Sequence, residues 1–204
     1  MSRGERHTPD RIIAFSDGVV AIAITVLLLP LAELDTKDGQ VLTMLSANAQ
    51  LLWGLTLTWV IIAVFWFAHH RMFDRIVAVD RVVLWLNFAW LFAIALLPLP
   101  TNIVVQNEPS AQVTGFYIGW MALISIIMMA IVWYSQRTPG LLRDDFADTE
   151  SARSAKIRTT LISGVFVLAF VVALILPSMA TYLLLLMFVV DPLAARLAAR
   201  TARA

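Results

Sequence analysis

The sequence contains no cysteine, which excludes disulfides, thiolate metal sites and cysteine nucleophiles. Charge is also scarce. Asp, Glu, Lys and Arg make up 14% of the 204 residues, against roughly 25% in an average soluble domain. Histidine occurs three times, as His7, His69 and His70. Apolar residues, by contrast, reach 60%, where about 45–50% is ordinary. So much apolar surface has to face something other than water, and the composition points to lipid. The opening stretch MSRGERHTPDR is too polar for a cleaved signal peptide, so the first hydrophobic run is expected to be retained.

A helix crossing the hydrocarbon core needs about 20 mostly apolar residues. Stretches of that kind cover Ile12–Leu34, Leu51–Ala68, Val82–Val105 and Gln112–Tyr134. A last uncharged run, Thr159–Val190, is too long for one crossing. Pro177-Ser178 predicts a turn inside it, giving Thr159–Leu176 and a short Met179–Val190. The expectation is an all-α integral membrane protein, one domain over residues 1–204 with six transmembrane helices.

Charge placement bears on this count. With six spans both termini lie on one side, and of the 15 basic residues only Lys37 falls on the other. Basic loops stay cytoplasmic, so both termini are expected on the cytoplasmic side of an inner membrane. Five spans would export Arg196, Arg200 and Arg203. The tail LAARLAARTARA repeats arginine at helical spacing, a pattern suited to lipid headgroups or solvent. The long loop from Gln136 to Ile157 is charged enough to hold a short amphipathic helix.

The first span departs from plain hydrophobicity. Asp17 is an acid inside it, and a carboxylate there needs partners. At 100° per residue Gly18, Ile22, Thr25, Val26 and Leu29 share one face and Asp17 points away from it. His69, His70 and Asn87 lie at similar depth and are candidate partners for Asp17, with Ser16 adjacent and Arg11 below. Adjacent histidines project about 100° apart on a helix, a poor chelating geometry, so no metal site is expected. Periodicity alone leaves the apolar stripe open as pore lining or as an ordinary lipid-facing or packed surface. Glu33, Asp35 and Asp38, near Pro30 at the far end, either gather cations or form a solvated loop.

The stretch RIIAFSDGVVAIAIT (Arg11–Thr25) resembles the signature of the transmembrane-protein-175 family of endolysosomal potassium channels, in its single-repeat prokaryotic branch. Trp66-Phe-Ala-His69-His70 and Asp80…Asn87 are similar to further family pieces. The resemblance implies a homotetramer with four first helices around a central pore. It implies an apolar constriction at Ile22, with Leu29 beyond it and a Thr25 hydroxyl ring between. The family lacks a Thr-Val-Gly-Tyr-Gly carbonyl filter, and this sequence has none. Phe15, Ser16 and Asp17 are implied to hold the helices together, and Arg11 to shape the cytoplasmic mouth. The implied activity is a potassium channel, leaky to other monovalent cations.

Two other classes compete. A secondary transporter would use Asp17 as its coupling carboxylate, but would show broken helices and several midplane polar groups. A membrane enzyme would need a converging nucleophile, base and oxyanion donors, and no such set is evident. No cofactor, nucleic acid or small-molecule substrate is expected; the permeant potassium ion, membrane lipid and further copies of the chain are the expected partners.

Overall fold

The computed structural model describes residues 9–35, 39–147 and 149–186, and the chain in it is helical almost throughout. Arg3, Arg6, His7, Lys37, Asp38, the C-terminal arginines and the end of the last expected span lie outside these residues. Helix α1 covers Pro9–Leu27 and a short α2 Leu29–Ala32; α3 is Val41–Ala47 and α4 Ala49–Phe73. Then come α5 (Arg81–Leu96), α6 (Pro98–Gln106), α7 (Ala111–Arg137), α8 (Asp144–Ala147), α9 (Glu150–Ile175) and α10 (Pro177–Leu183). Among the described residues, five helical units are long and apolar enough to cross a membrane: Pro9–Ala32, Ala49–Phe73, Arg81–Gln106, Ala111–Arg137 and Glu150–Ile175. A shorter apolar stretch, Pro177–Leu186, follows.

Side-chain caps set three of the helix starts. Asp80 caps α5 by accepting from the Val83 amide, Ser110 caps α7 through Val113, and Thr149 caps α9 through Ala152. Each satisfies an amide that the helix itself leaves unpaired. Prolines set the interruptions. Pro30 and Pro98 have no N–H to give the preceding turn, and the chain breaks at Leu28 and Leu97. At the second break the Leu97 amide turns to the Ile94 carbonyl at 3.1 Å. The Ala93 carbonyl then lacks its usual donor and receives the Trp120 indole N–H at 2.8 Å instead.

Two expectations need correction. The break after the fifth span is at Leu176, with Pro177 as the first residue of α10, not a turn at Pro177-Ser178. Proline disfavours helical geometry in the residue before it and suits a helix's first position. Also, α9 begins at Glu150 rather than Thr159, because the Thr149 cap starts the helix while the sequence is still charged.

Helix α7 is the centre of the bundle and packs on α5, α6 and α9. A Cβ added to Gly119 would stand 3.0 Å from the Phe170 ring, so the missing side chain lets α9 approach. Helix α1 lies on α4 and α5 at the edge; 22% of its most apolar stretch is buried within the chain, against 56% for α7. At the basic end the α4–α5 and α7–α8 loops are pinned together. Val77 donates to the Leu141 carbonyl and Arg143 to that of Arg75, and Tyr134 donates to the Asp80 carboxylate at 2.6 Å.

Candidate functional site

One side of α1 is committed to the protein interior. Ser16, Val20, Ala23 and Leu27 are buried, recurring at the three- and four-residue spacing that defines one helix face. The opposite side is bare: Ile22 is 64% exposed, Leu29 59% and Val26 43%. Gly18 and Thr25 are exposed between them, and a Cβ at Gly18 would meet nothing within 4 Å. Gly18, Ile22, Thr25, Val26 and Leu29 thus form a continuous uncovered stripe on a single chain. Thr25 donates its hydroxyl proton to the Ile22 carbonyl at 2.8 Å, so what its oxygen offers outward is lone pairs. Arg11 and Phe15 are exposed below the stripe, with Phe15 edge-on to Phe88 of α5.

The polar groups around the Phe-Ser-Asp motif form two sets rather than one. In the first, Asn87 donates to Ser16 Oγ at 3.1 Å, and its amide oxygen lies 2.7 Å from His69 Nε2. Since the Asn87 nitrogen is the donor to Ser16, its oxygen accepts, and His69 carries its proton on Nε2. All three side chains are buried, and His69 is stacked between Phe73 and Trp90 at 4.2 and 4.4 Å. This set ties α1, α4 and α5 together.

The second set surrounds Asp17. Its Oδ1 accepts from the Trp66 indole at 2.8 Å, and His70 Nδ1 stands 3.8 Å away. His70 also approaches Asp74 through Nε2 at 3.8 Å and lies against the Trp66 ring. The expectation that His69, His70 and Asn87 all serve Asp17 is therefore corrected: Asn87 bonds Ser16 and His69 bonds Asn87, and His70 is the histidine near Asp17, because the two histidines leave α4 in different directions. Trp66 was missed as a partner. Its signal was present, since Trp66 and His70 are four residues apart on one helix face and indole N–H is a donor only.

At the far end of the stripe a cavity of about 350 Å³ is lined by Val26, Leu29, Glu33, Asn102 and Gln106 among others. It places one acid, Glu33, beside the apolar residues of that end.

Comparison with known proteins follows the same residues. Positions 11–98 match the family described as endosomal/lysosomal potassium channel TMEM175. A Streptomyces collinus protein named as a potassium channel is 31% identical over 159 residues, covering 74% of this chain and 75% of that protein. The zebrafish (Danio rerio) protein named endosomal/lysosomal proton channel TMEM175 is 28% identical over 144 residues, or 69% of this chain and 28% of that longer one. In three dimensions the chain superposes with a TM-score of 0.76 and 21% identity on the crystal structure of a lysosomal potassium-selective channel TMEM175 homolog from Chamaesiphon minutus, covering 92% of this chain and 97% of that one. The motif on α1, the likeness to the Streptomyces protein along most of both chains and the shared fold lead to one assignment: the chain belongs to the TMEM175 family of ion channels.

Proposed function

We propose that the chain forms a potassium-selective channel, leaky to other monovalent cations, by assembling as a homotetramer in which four copies of α1 surround the conduction path. In this reading the subunit has six spans and sits in the inner membrane with both termini in the cytoplasm. The observation that carries it is the uncovered stripe on α1, set opposite a face whose Ser16 is hydrogen-bonded into the bundle. Ile22 is the most exposed of the stripe's large residues. Four such side chains around an axis make a hydrophobic constriction that gates by dewetting, with selectivity left to pore diameter and nearby polar groups. Thr25 oxygens supply those groups one turn away, and Arg11 borders the cytoplasmic mouth.

The test is ion flux from vesicles reconstituted with purified protein, comparing potassium, sodium and protons. Ile22→Asn replaces the apolar ring by a wetted one and is expected to raise conductance and narrow the potassium-over-sodium preference. Unchanged currents would sink the assignment of Ile22. Flux that accumulates potassium against its gradient and vanishes with Asp17→Asn would instead identify a coupled transporter.

A further inference from the structure

A cavity of about 130 Å³ lies at the end of the bundle opposite the basic loops, between the starts of α4, α7 and α10 and the end of α6. Its walls are mostly apolar, with Leu57, Val104 and Val105 among them, while Gln50 and Ser178 are exposed at its rim. Two buried hydroxyls line it from one face of α7: Thr114, 1% exposed, and one turn on Tyr117, 2% exposed. The Tyr117 proton is already committed. Thr58 gives its own proton to the Gly54 carbonyl at 2.9 Å, so in the 2.7 Å contact between Thr58 and Tyr117 the tyrosine donates. Toward any further group the Tyr117 oxygen therefore only accepts. The Thr114 hydroxyl forms no hydrogen bond with another described residue, and keeps both its proton and its lone pairs for a partner.

We propose that this cavity binds a small uncharged alcohol, its hydroxyl between Thr114 and Tyr117 and its short hydrocarbon tail against Leu57, Val104 and Val105. The polarity of the two side chains selects that group. The ligand has to donate to Tyr117 and accept from Thr114, which one hydroxyl does. A ketone or ester lacks the proton for Tyr117, and an ammonium finds no carboxylate among the described lining residues. Volume sets the size. The cavity exceeds several-fold the roughly 30 Å³ that one water takes in the liquid, yet falls short of the roughly 300 Å³ at which drug-sized pockets begin. Several waters would each need two or more polar partners, which the valines and Leu57 do not supply. A tail of a few carbons needs none. The inference rests on one subunit and requires neither assembly nor conduction.

The full-length protein in phosphatidylcholine nanodiscs is irradiated with 3-azibutanol, a small alcohol carrying a photoreactive diazirine, and the adducts are located by mass spectrometry of its peptides. Adducts are expected in residues 50–57 and 104–117, and are expected to fall when 1-butanol is added. Thr114→Val keeps the shape without the hydroxyl, and is expected to lower this labelling about two- to tenfold, the worth of one neutral hydrogen bond. Thr114→Ser keeps the hydroxyl and is expected to retain most of the labelling. Equal losses from the two variants would make packing the cause and overturn the hydrogen-bonded site. Labelling spread over all the outward helix faces, and unchanged by Thr114→Val, would show partition into the bilayer and overturn it as well. Loss of the adducts in phosphatidylglycerol nanodiscs, whose headgroup carries free hydroxyls, would make a lipid the occupant and overturn the small-alcohol assignment. Because labelling is read rather than flux, failure here is separate from failure of the channel reading.

Discussion

Asn87 satisfies Ser16 with its nitrogen and His69 with its oxygen, so one amide joins three helices. Asn87→Leu leaves both partners without it. Hydrogen bonds between membrane helices are worth about 0.5–2 kcal/mol, and a loss of that size is expected for the folded protein in detergent. Adding Ser16→Ala should cost less than in the wild-type background, because its partner has already gone; strictly additive losses would show that the bond contributes nothing. Asp17 gives a sharper contrast. Asp17→Asn keeps an oxygen that can accept from Trp66, whereas Trp66→Phe removes the donor and keeps the ring. The phenylalanine variant is therefore expected to be less stable than the asparagine one, measured as thermal aggregation of the purified protein. A larger effect of Asp17→Asn would point to the carboxylate's charge rather than its hydrogen bond. The motif residues were legible in the sequence, because an acid in an apolar helix stands out. Their pairing was not, since it depends on how α1, α4 and α5 are rotated about their axes.

At the scale of elements, the apolar runs revealed where the long helices lie because side-chain transfer energy dominates membrane placement. They concealed the breaks inside them. The run Val82–Val105 reads as one smooth span, but a hydropathy reading is blind to the amide that Pro98 lacks, and the helix divides at Leu97. The Thr149 cap was equally hidden, as it sits among charged residues that read as loop. Close helix approach is a further backbone property. A Cβ at Gly54 would collide with Val105, so glycine lets α4 lie against α6. Valine is stiff at χ1 and cannot swing clear. Gly54→Ala is expected to destabilise the protein by about 1–3 kcal/mol, and Val105→Ala in the same chain to restore most of it. Differential scanning fluorimetry of the two variants and their combination checks this, and absence of rescue would place the strain elsewhere.

The burial of the helices is uneven: α7 has 56% of its most apolar stretch buried in its own chain against 22% for α1, which offers a long apolar face to whatever lies outside. A stripe turned to lipid and a stripe turned to a shared axis look alike on one subunit, but they differ in their distance from the copies in other subunits. Four residues at one depth around a narrow axis are neighbours; four residues on the outer rim are tens of ångströms apart, as about 10–12 Å of helix diameter accumulates between them. The absence of native cysteine makes this measurable, because one introduced thiol per chain is then the only thiol. Ile22→Cys is expected to form disulfide-linked dimers on mild oxidation, and its flux should be blocked by silver or cadmium, which thiolates bind well. Ile175→Cys, on a residue that is 74% exposed at the end of α9, serves as the outward control and should do neither. Dimers and block from Ile175→Cys, with none from Ile22→Cys, would put α9 rather than α1 at the axis.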